Sequence, residues 1–206
     1  MTLIRTTEEF FHGYEKLAVA EALTHTNLEY TAWLIGCFAD YYVAPSIKSH
    51  LAILNVVVDV ANNAAAIPVS GDVPVSFTHS FDVARFVAAS LTLPKWEPKT
   101  YLVGEKLTWH QLVELAQDIK GTKFEVTYDS EDDLKSGKVT ELPSHPALYP
   151  SFPKQDVQAL LATVGRMASL GIFDIKAGHP IVQDFPDLHL RTMKELLVEA
   201  WGKGKR

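Results

Sequence analysis

The hydrophobic pattern of this chain changes repeatedly between a strand type and a helix type. Strand-type runs, rich in β-branched and aromatic residues, cover residues 28–38, 56–60, 64–67, 73–78, 101–103 and 124–128. Apolar residues recur at helical spacing near 83–91, 108–119, 157–167 and 192–201. This alternation predicts an α/β protein built on a largely parallel sheet. The 206 residues, 47% of them apolar, suffice for one large domain or a domain plus a lobe.

The first helix is predicted to begin at Thr6, with Glu9 three residues later completing a capping box. Apolar residues at positions 10, 14, 17 and 18 then recur at helical spacing, which predicts one inward face.

Three further helix ends carry local signals. Ser80 is predicted to cap one helix, and Thr108 with Gln111 forms a capping box for another. Gly121 follows that second helix where a left-handed C-terminal cap belongs.

The segment 142–153 (LPSHPALYPSFP) is rich in proline, which fixes φ and removes backbone donors, so we expect no regular element there. One interpretation is an ordered loop over the core with Tyr149 and Phe152 packed down. The alternative is a partner-binding segment.

Composition narrows the function classes. The net charge is −6, and lysine and arginine cluster only in the tail Lys203, Lys205 and Arg206, so we expect no nucleic-acid partner. Cys37 is the only cysteine, which excludes an internal disulfide. The apolar stretch 51–68 is interrupted by Asn and Asp and is therefore predicted to be core rather than a membrane helix. No basic-then-apolar leader pattern opens the sequence, so a cytoplasmic location is expected.

The histidines show no pairs at metal-site spacing, so no metal is predicted. His79 and Asp82 flank a helix start and are predicted to be structural, with Asp82 favoured by the helix dipole. Cys37 lies in no recognisable Cys–His motif and is not predicted to be a nucleophile.

Six segments in order carry a resemblance to a known family. They are YEK at 14–16, TAWLIGCFADYY at 31–42, FTHSFDVARFV at 77–87, VGEKLTW at 103–109, TELPSH at 140–145 and DFPD at 184–187. Together they resemble the NmrA-like, isoflavone-reductase-like branch of the short-chain dehydrogenases, especially its fungal members. The resemblance covers nearly the whole chain, residues 1–206. It implies a partial Rossmann-like parallel sheet with a C-terminal α/β substrate lobe, NADP(H) or NAD(H) as cofactor, and a small-molecule substrate.

The resemblance also implies roles for particular residues. Lys16 corresponds to a lysine near the nicotinamide ribose that takes part in proton transfer; the alternative is a solvated helix lysine. The short-chain tyrosine four residues earlier is replaced by His12, either a proton relay or a surface histidine.

The loop after the strand 28–38 is implied to lie against the nicotinamide and the substrate. Gly36, Cys37 and Phe38 would contact cofactor, and Phe38, Tyr41 and Tyr42 would form an aromatic wall for substrate. Core packing of these side chains is the alternative, since ligands and core meet at the ends of such strands.

The sequence departs from the family at its start, because its glycines never occur in G-x-G-x-x-G spacing. We therefore expect the chain to begin after the first Rossmann strands, to bind cofactor weakly, and to leave a sheet edge open to self-association or a protein partner. Three functions remain: an NAD(P)H-dependent reductase of a small aromatic or enone-like metabolite in secondary metabolism, a non-catalytic NmrA-type cofactor-sensing or protein-binding module, or an inactive fragment.

Overall fold

The structure, a computed structural model, describes residues 13–176 and 178–202. The predicted helix start at Thr6 lies outside these residues. The α-helices are α1 (Gly13–Thr24), α2 (Ser80–Ser90), α3 (Trp109–Lys120), α4 (Glu131–Lys135), α5 (Lys154–Ser169) and α6 (Met193–Trp201). The strands are β1 (Ala32–Leu34), β2 (Cys37–Phe38), β3 (Val58–Asp59), β4 (Ala64–Pro68), β5 (Val75–Thr78), β6 (Lys99–Tyr101), β7 (Glu105–Leu107) and β8 (Glu125–Asp129).

The strands form a mixed but mainly parallel α/β arrangement. Parallel pairs join β1 to β6, β2 to β5 and β4 to β8. Antiparallel pairs add β7 to β5 and β3 to β4. The predicted α/β class with parallel strands is therefore confirmed. Strand β7 was not predicted, because Glu-Lys-Leu is too short and too charged to show a strand pattern.

The prediction of one buried strand over residues 28–38 is wrong. The chain forms β1 and β2 with a break between them, and Leu28 is 67% exposed. Gly36 lies in the break with φ +73°, and a Cβ there would lie 2.2 Å from the carbonyl oxygen of Ser76. Only glycine tolerates both this φ and this approach to β5.

The local cap signals of α3 are confirmed, whereas the one for α2 is not. The Thr108 hydroxyl accepts from the Gln111 N–H, and the Gln111 side-chain oxygen accepts from the Thr108 N–H. Gly121 ends the helix at φ 65°. At α2 the cap is His79, whose Nδ1 accepts from the Phe81 N–H. Ser80 is instead the first helical residue, because its hydroxyl bonds elsewhere.

An aromatic group lies at the centre of the main core. Tyr42, Phe77 and Trp109 are each 1% exposed, with ring centroids 5.5–6.2 Å apart in T-shaped or tilted contacts. Side chains from α3, α5 and α6 join the same cluster. Because Tyr42 is the last residue of the short segment 39–42 that follows β2, this core holds the far end of the loop that leaves β2.

The proline-rich segment wraps onto the protein only in part. His145 is buried, with Nε2 2.9 Å from the Asn55 carbonyl and Nδ1 accepting from the Leu142 N–H. Tyr149 packs against the main core, as predicted, but Phe152 is 60% exposed, contrary to prediction. A short 3₁₀ helix, His145–Leu148, also forms where no regular element was expected.

Candidate active site

The candidate site is the edge of the sheet where β2 and β5 end. These strands are parallel, with Phe38 opposite Thr78, so Ala39 and His79 leave the sheet side by side. Ala39–Tyr42 continues as a 3₁₀ helix, and His79 leads into α2. The carboxyl ends of parallel strands are where ligands of open α/β folds bind.

The side chains of the predicted aromatic wall divide between two environments. Phe38 and Tyr41 are half-buried and meet edge to face, with ring centroids 6.4 Å apart. Tyr42 faces the opposite way into the core, and its buried hydroxyl has no hydrogen-bond partner among the described residues. Burial raises the pKa of Tyr42 well above its ordinary value. Of these three aromatic side chains, those of Phe38 and Tyr41 keep exposed surface for a ligand, whereas that of Tyr42 does not.

Cys37 shows the properties of a packing residue. Its side chain is half-buried against the main core. Burial raises the pKa of its thiol to about 12, so the thiol stays protonated near neutral pH.

Asp40 is the residue that ties the loop to its surroundings, and sequence reasoning missed it. Its carboxylate is 1% exposed and accepts from the Ser80 N–H at 2.8 Å and the Ser80 hydroxyl at 2.5 Å. It also accepts from the Ser49 hydroxyl at 2.6 Å. One buried carboxylate thus joins the loop, the start of α2 and the segment around Ser49.

His79 lies beside Asp40 with no exposed surface. Its Nδ1 accepts from the Phe81 N–H and from the Arg191 guanidinium at 3.0 Å, which places the ring proton on Nε2. That Nε2 lies 3.7 Å from Asp40 Oδ1 and has no hydrogen-bond partner among the described residues. Burial lowers the pKa of His79, with the nearby Asp40 opposing the shift, so the ring is neutral.

Asp82 completes the buried network. It has no exposed surface, and it accepts from Arg85 Nη2 at 2.5 Å and Arg191 Nε at 3.1 Å. Arg191 therefore connects Asp82 to His79 across the start of α2. The structural role predicted for His79 and Asp82 is confirmed by these contacts.

Lys16 is separate from this network. It lies exposed on α1 and makes no ion pair or hydrogen bond with any residue that the structure describes. His12 lies outside the described residues.

Two small cavities among the described residues are lined by side chains other than those of the loop. One is lined mainly by β4, α5 and the segment 139–145, and the other by residues 68–73, Trp109 and the end of α5. Within ranges 13–176 and 178–202, no group of His, Cys, Asp and Glu side chains could hold a metal ion. None of the described helices has the length and apolar character needed to cross a bilayer.

Sequence comparisons place the chain near fungal oxidoreductases. No known protein-family profile matches it. Oxidoreductase BOA1 of Botryotinia fuckeliana is 39% identical over 143 residues, which are 69% of this chain and 46% of that protein. Oxidoreductase swnN of Metarhizium robertsii is 25% identical over 203 residues, 94% of this chain and 58% of that protein. The chain thus spans about half the length of these relatives.

Comparison with solved structures identifies the fold. The complex of AtPrR2 with NADP+ and (+)pinoresinol matches with a TM-score of 0.65 at 21% identity, covering 90% of this chain and 55% of that one. An isoflavone reductase matches with a TM-score of 0.65 at 17% identity, covering 90% and 57%. The NADPH complex of leucoanthocyanidin reductase from Vitis vinifera matches with a TM-score of 0.65 at 17% identity, covering 91% and 57%.

These findings agree with the resemblance seen in the sequence. The chain has the fold of the isoflavone-reductase-like, NmrA-like reductases, and its sequence relatives are fungal oxidoreductases.

Proposed function

We propose that this chain acts as an NAD(P)H-dependent reductase of the isoflavone-reductase type, on a small aromatic or enone-like metabolite. The observation that carries the proposal is the half-exposed pair Phe38 and Tyr41 at the carboxyl ends of two parallel strands. Solved proteins of the same fold carry NADP+ or NADPH. A cytoplasmic setting and a place in secondary metabolism are part of the proposal.

The loop residues suit the nicotinamide end of such a cofactor. Gly36 sets the backbone turn that precedes β2, because Ser76 of β5 fills the space of its missing side chain. Phe38 offers an aromatic face, and Cys37 packs behind it. A reduced nicotinamide, when bound, supplies a hydride. The sequence has no G-x-G-x-x-G spacing for the pyrophosphate, so no phosphate contacts are assigned to the residues of this chain.

The chain's own residues would bind and orient the substrate and manage a proton. Phe38 and Tyr41 would hold an aromatic ring, and Asp40 would keep both in place through Ser80 and Ser49. Tyr42 would support the wall from the core side. Lys16 would donate a proton to the substrate, a role that requires α1 to approach the loop.

The second candidate is a non-catalytic module that senses nicotinamide cofactor or binds a protein partner. Its support is the solvated position of Lys16, which has no partner among residues 13–176 and 178–202 that would orient it for proton transfer. The exposed α1 and the unpaired side of β1 among the described strands offer such a partner a surface. An inactive fragment is the third candidate.

Turnover distinguishes these candidates. The purified chain is incubated with NADPH and a panel of aromatic and enone-like metabolites, and oxidation of NADPH is followed by absorbance. Phe38→Ala should raise KM for the substrate, whereas Phe152→Ala, an exposed aromatic of the proline-rich segment, should not. No turnover with any substrate, together with capture of a specific partner, would favour the binding module.

Isothermal titration calorimetry measures the affinity of the chain for NADPH directly. Without a glycine turn we expect NADPH to bind in the millimolar range, about −4 kcal/mol. Micromolar binding by a monomer would contradict this. It would reveal a phosphate site in addition to the residues proposed for the nicotinamide end, namely Lys16, Gly36, Cys37 and Phe38.

A further inference from the structure

Three side chains remote from the loop form a linear hydrogen-bonded triad. His110 Nδ1 lies 3.1 Å from Asp72 Oδ1, and His110 Nε2 lies 3.2 Å from the Tyr128 hydroxyl. Carboxylate, imidazole and hydroxyl are thus arranged in the order of an orienting group, a general base and a nucleophile. The family resemblance and the proposed reductase function assign these residues no role.

The backbone fixes the three residues relative to one another. Asp72 lies in the turn after β4, and the carbonyl of neighbouring Gly71 accepts from the Trp109 N–H at the start of α3. His110 is the next residue of that helix. Tyr128 lies on the edge strand β8, directly opposite Ile67 of β4. The turn, helix and strand therefore hold the triad through main-chain contacts.

The close packing of Gly71 limits movement of the imidazole. A Cβ at Gly71 would lie 3.2 Å from His110 Cε1 and 3.4 Å from Nε2, so the turn lies directly against the ring. The ring of Tyr128 also lies near the imidazole, with ring centroids 6.0 Å apart.

The hydrogen-bonding capacity of Asp72 determines which nitrogen of His110 carries the proton. A neutral imidazole donates from one nitrogen and accepts at the other. The Asp72 carboxylate only accepts, so Nδ1 carries the proton and Nε2 accepts from the tyrosine hydroxyl. Asp72 thereby fixes the tautomer in which His110 can take the phenolic proton.

Tyr128 and His110 are both accessible to solvent. Tyr128 is 57% exposed, and the His110 side chain is 34% exposed. Tyr42, by contrast, is closed to solvent.

We propose that Tyr128 is a nucleophilic tyrosine that accepts an acyl group from an activated acyl donor, with His110 as its general base and Asp72 as the residue that orients the base. The Tyr128 oxygen bonds to the acyl carbon as the bond from that carbon to the leaving group breaks. The phenolic proton passes to His110 Nε2 and then to the leaving group. No electrons are transferred, and the product is an O-acyl tyrosine.

The test uses N-acetylimidazole as acyl donor and the full 206-residue chain. Acetylation of each tyrosine is timed by peptide mass spectrometry, with Tyr30 as an internal reference. His110→Gln should slow acetylation of Tyr128 at least tenfold, since a general base typically contributes about 10²–10⁴-fold, and leave Tyr30 unchanged. Asp72→Asn, on an exposed turn where folding is not at risk, should slow it severalfold.

His179→Gln is the matched control, because His179 also pairs with an aspartate on the surface, at 3.1 Å from Asp184. It should leave the Tyr128 rate unchanged. The assay contains no nicotinamide cofactor, so its outcome is independent of the reductase proposal. A Tyr128 rate that stays within twofold of the parent in either His110→Gln or Asp72→Asn would overturn the proposal.

Discussion

The start of α2 and the helix α1 are built on opposite principles. At α2, the side chains of Asp40, His79 and Asp82 are at most 1% exposed and are held by hydrogen bonds from distant parts of the chain. On α1, only Leu17 and Leu23 are half-buried among residues 16–24, and Val19 is 60% exposed.

This difference in burial predicts that substitutions at the start of α2 lower stability, whereas substitutions on α1 leave folding nearly unchanged. Buried polar groups must be paired, so losing one partner at the start of α2 leaves several others unsatisfied. An exposed helix has few such partners, so its side chains can change with little effect on folding. The proposed proton donor, Lys16, belongs to the second kind of region, whereas the loop that would hold substrate belongs to the first.

The largest expected effect is on Asp40. Asp40→Ala removes the acceptor of the Ser80 N–H, the Ser80 hydroxyl and the Ser49 hydroxyl, so we expect the free energy of unfolding to fall by about 3 kcal/mol. Urea denaturation measures it. Asp118→Ala, an exposed aspartate on α3, is the control and should change little. A loss below about 1 kcal/mol for Asp40→Ala would show that the network does not hold the loop.

Lys16→Ala should lower activity but leave stability nearly unchanged. In a form with measurable turnover we expect kcat to fall at least tenfold, as for loss of a general acid–base group, with the free energy of unfolding changed by less than about 0.5 kcal/mol. Lys123→Ala provides an exposed-lysine control. Unchanged kcat would leave Lys16 as a solvated helix lysine.

Thr108→Ala should cost an intermediate amount of stability without affecting either region. The Thr108 hydroxyl caps α3 by accepting from the Gln111 N–H at 3.2 Å, so we expect a loss of about 1 kcal/mol. Thr122→Ala, whose exposed side chain follows the same helix, should be neutral. A midpoint equal to the parent's would remove the capping box as a source of stability.

The smallest expected effect is the pH dependence contributed by His79. Its pKa is lowered by burial, so as pH falls below about 6.5 the unfolded chain takes up this proton before the folded chain does. The contribution of His79 is therefore present above that pH and is lost as pH falls toward its lowered folded pKa.

Urea midpoints at pH 7.5 and 5.5 measure this effect. His79→Asn keeps an acceptor for the Phe81 N–H but cannot titrate, so its stability should fall less between the two pH values. His25→Gln, at an exposed histidine, should retain the parent's dependence. Equal slopes for the parent and His79→Asn would contradict a buried neutral imidazole.

Local signals predicted what local contacts decide. Thr108, Gln111 and Gly121 satisfy backbone groups within a few residues of themselves, so their pattern was readable and the helix formed as expected. Ser80 carried an equally good local signal, yet its hydroxyl bonds to Asp40, forty residues away, and His79 became the cap. The wrong assignment arose because a distant carboxylate competed successfully for that hydroxyl.

The candidate site was predictable only in part for the same reason. Phe38 and Tyr41 could be placed at a strand end from the pattern and the family resemblance, but Tyr42 carried the same aromatic signal and faces the core. Asp40 and Arg191 had no sequence signal, since their roles depend on partners 40 and 112 residues away.

The sequence by itself determined the α/β class, most helices and the strand end where aromatics gather, because hydrophobic periodicity and caps act over one or two turns. The tertiary structure decided where the strand breaks at Gly36, which tyrosine faces outward, and how Asp72, His110 and Tyr128 meet. Each of these depends on the approach of segments distant in the chain, and no local pattern records that approach.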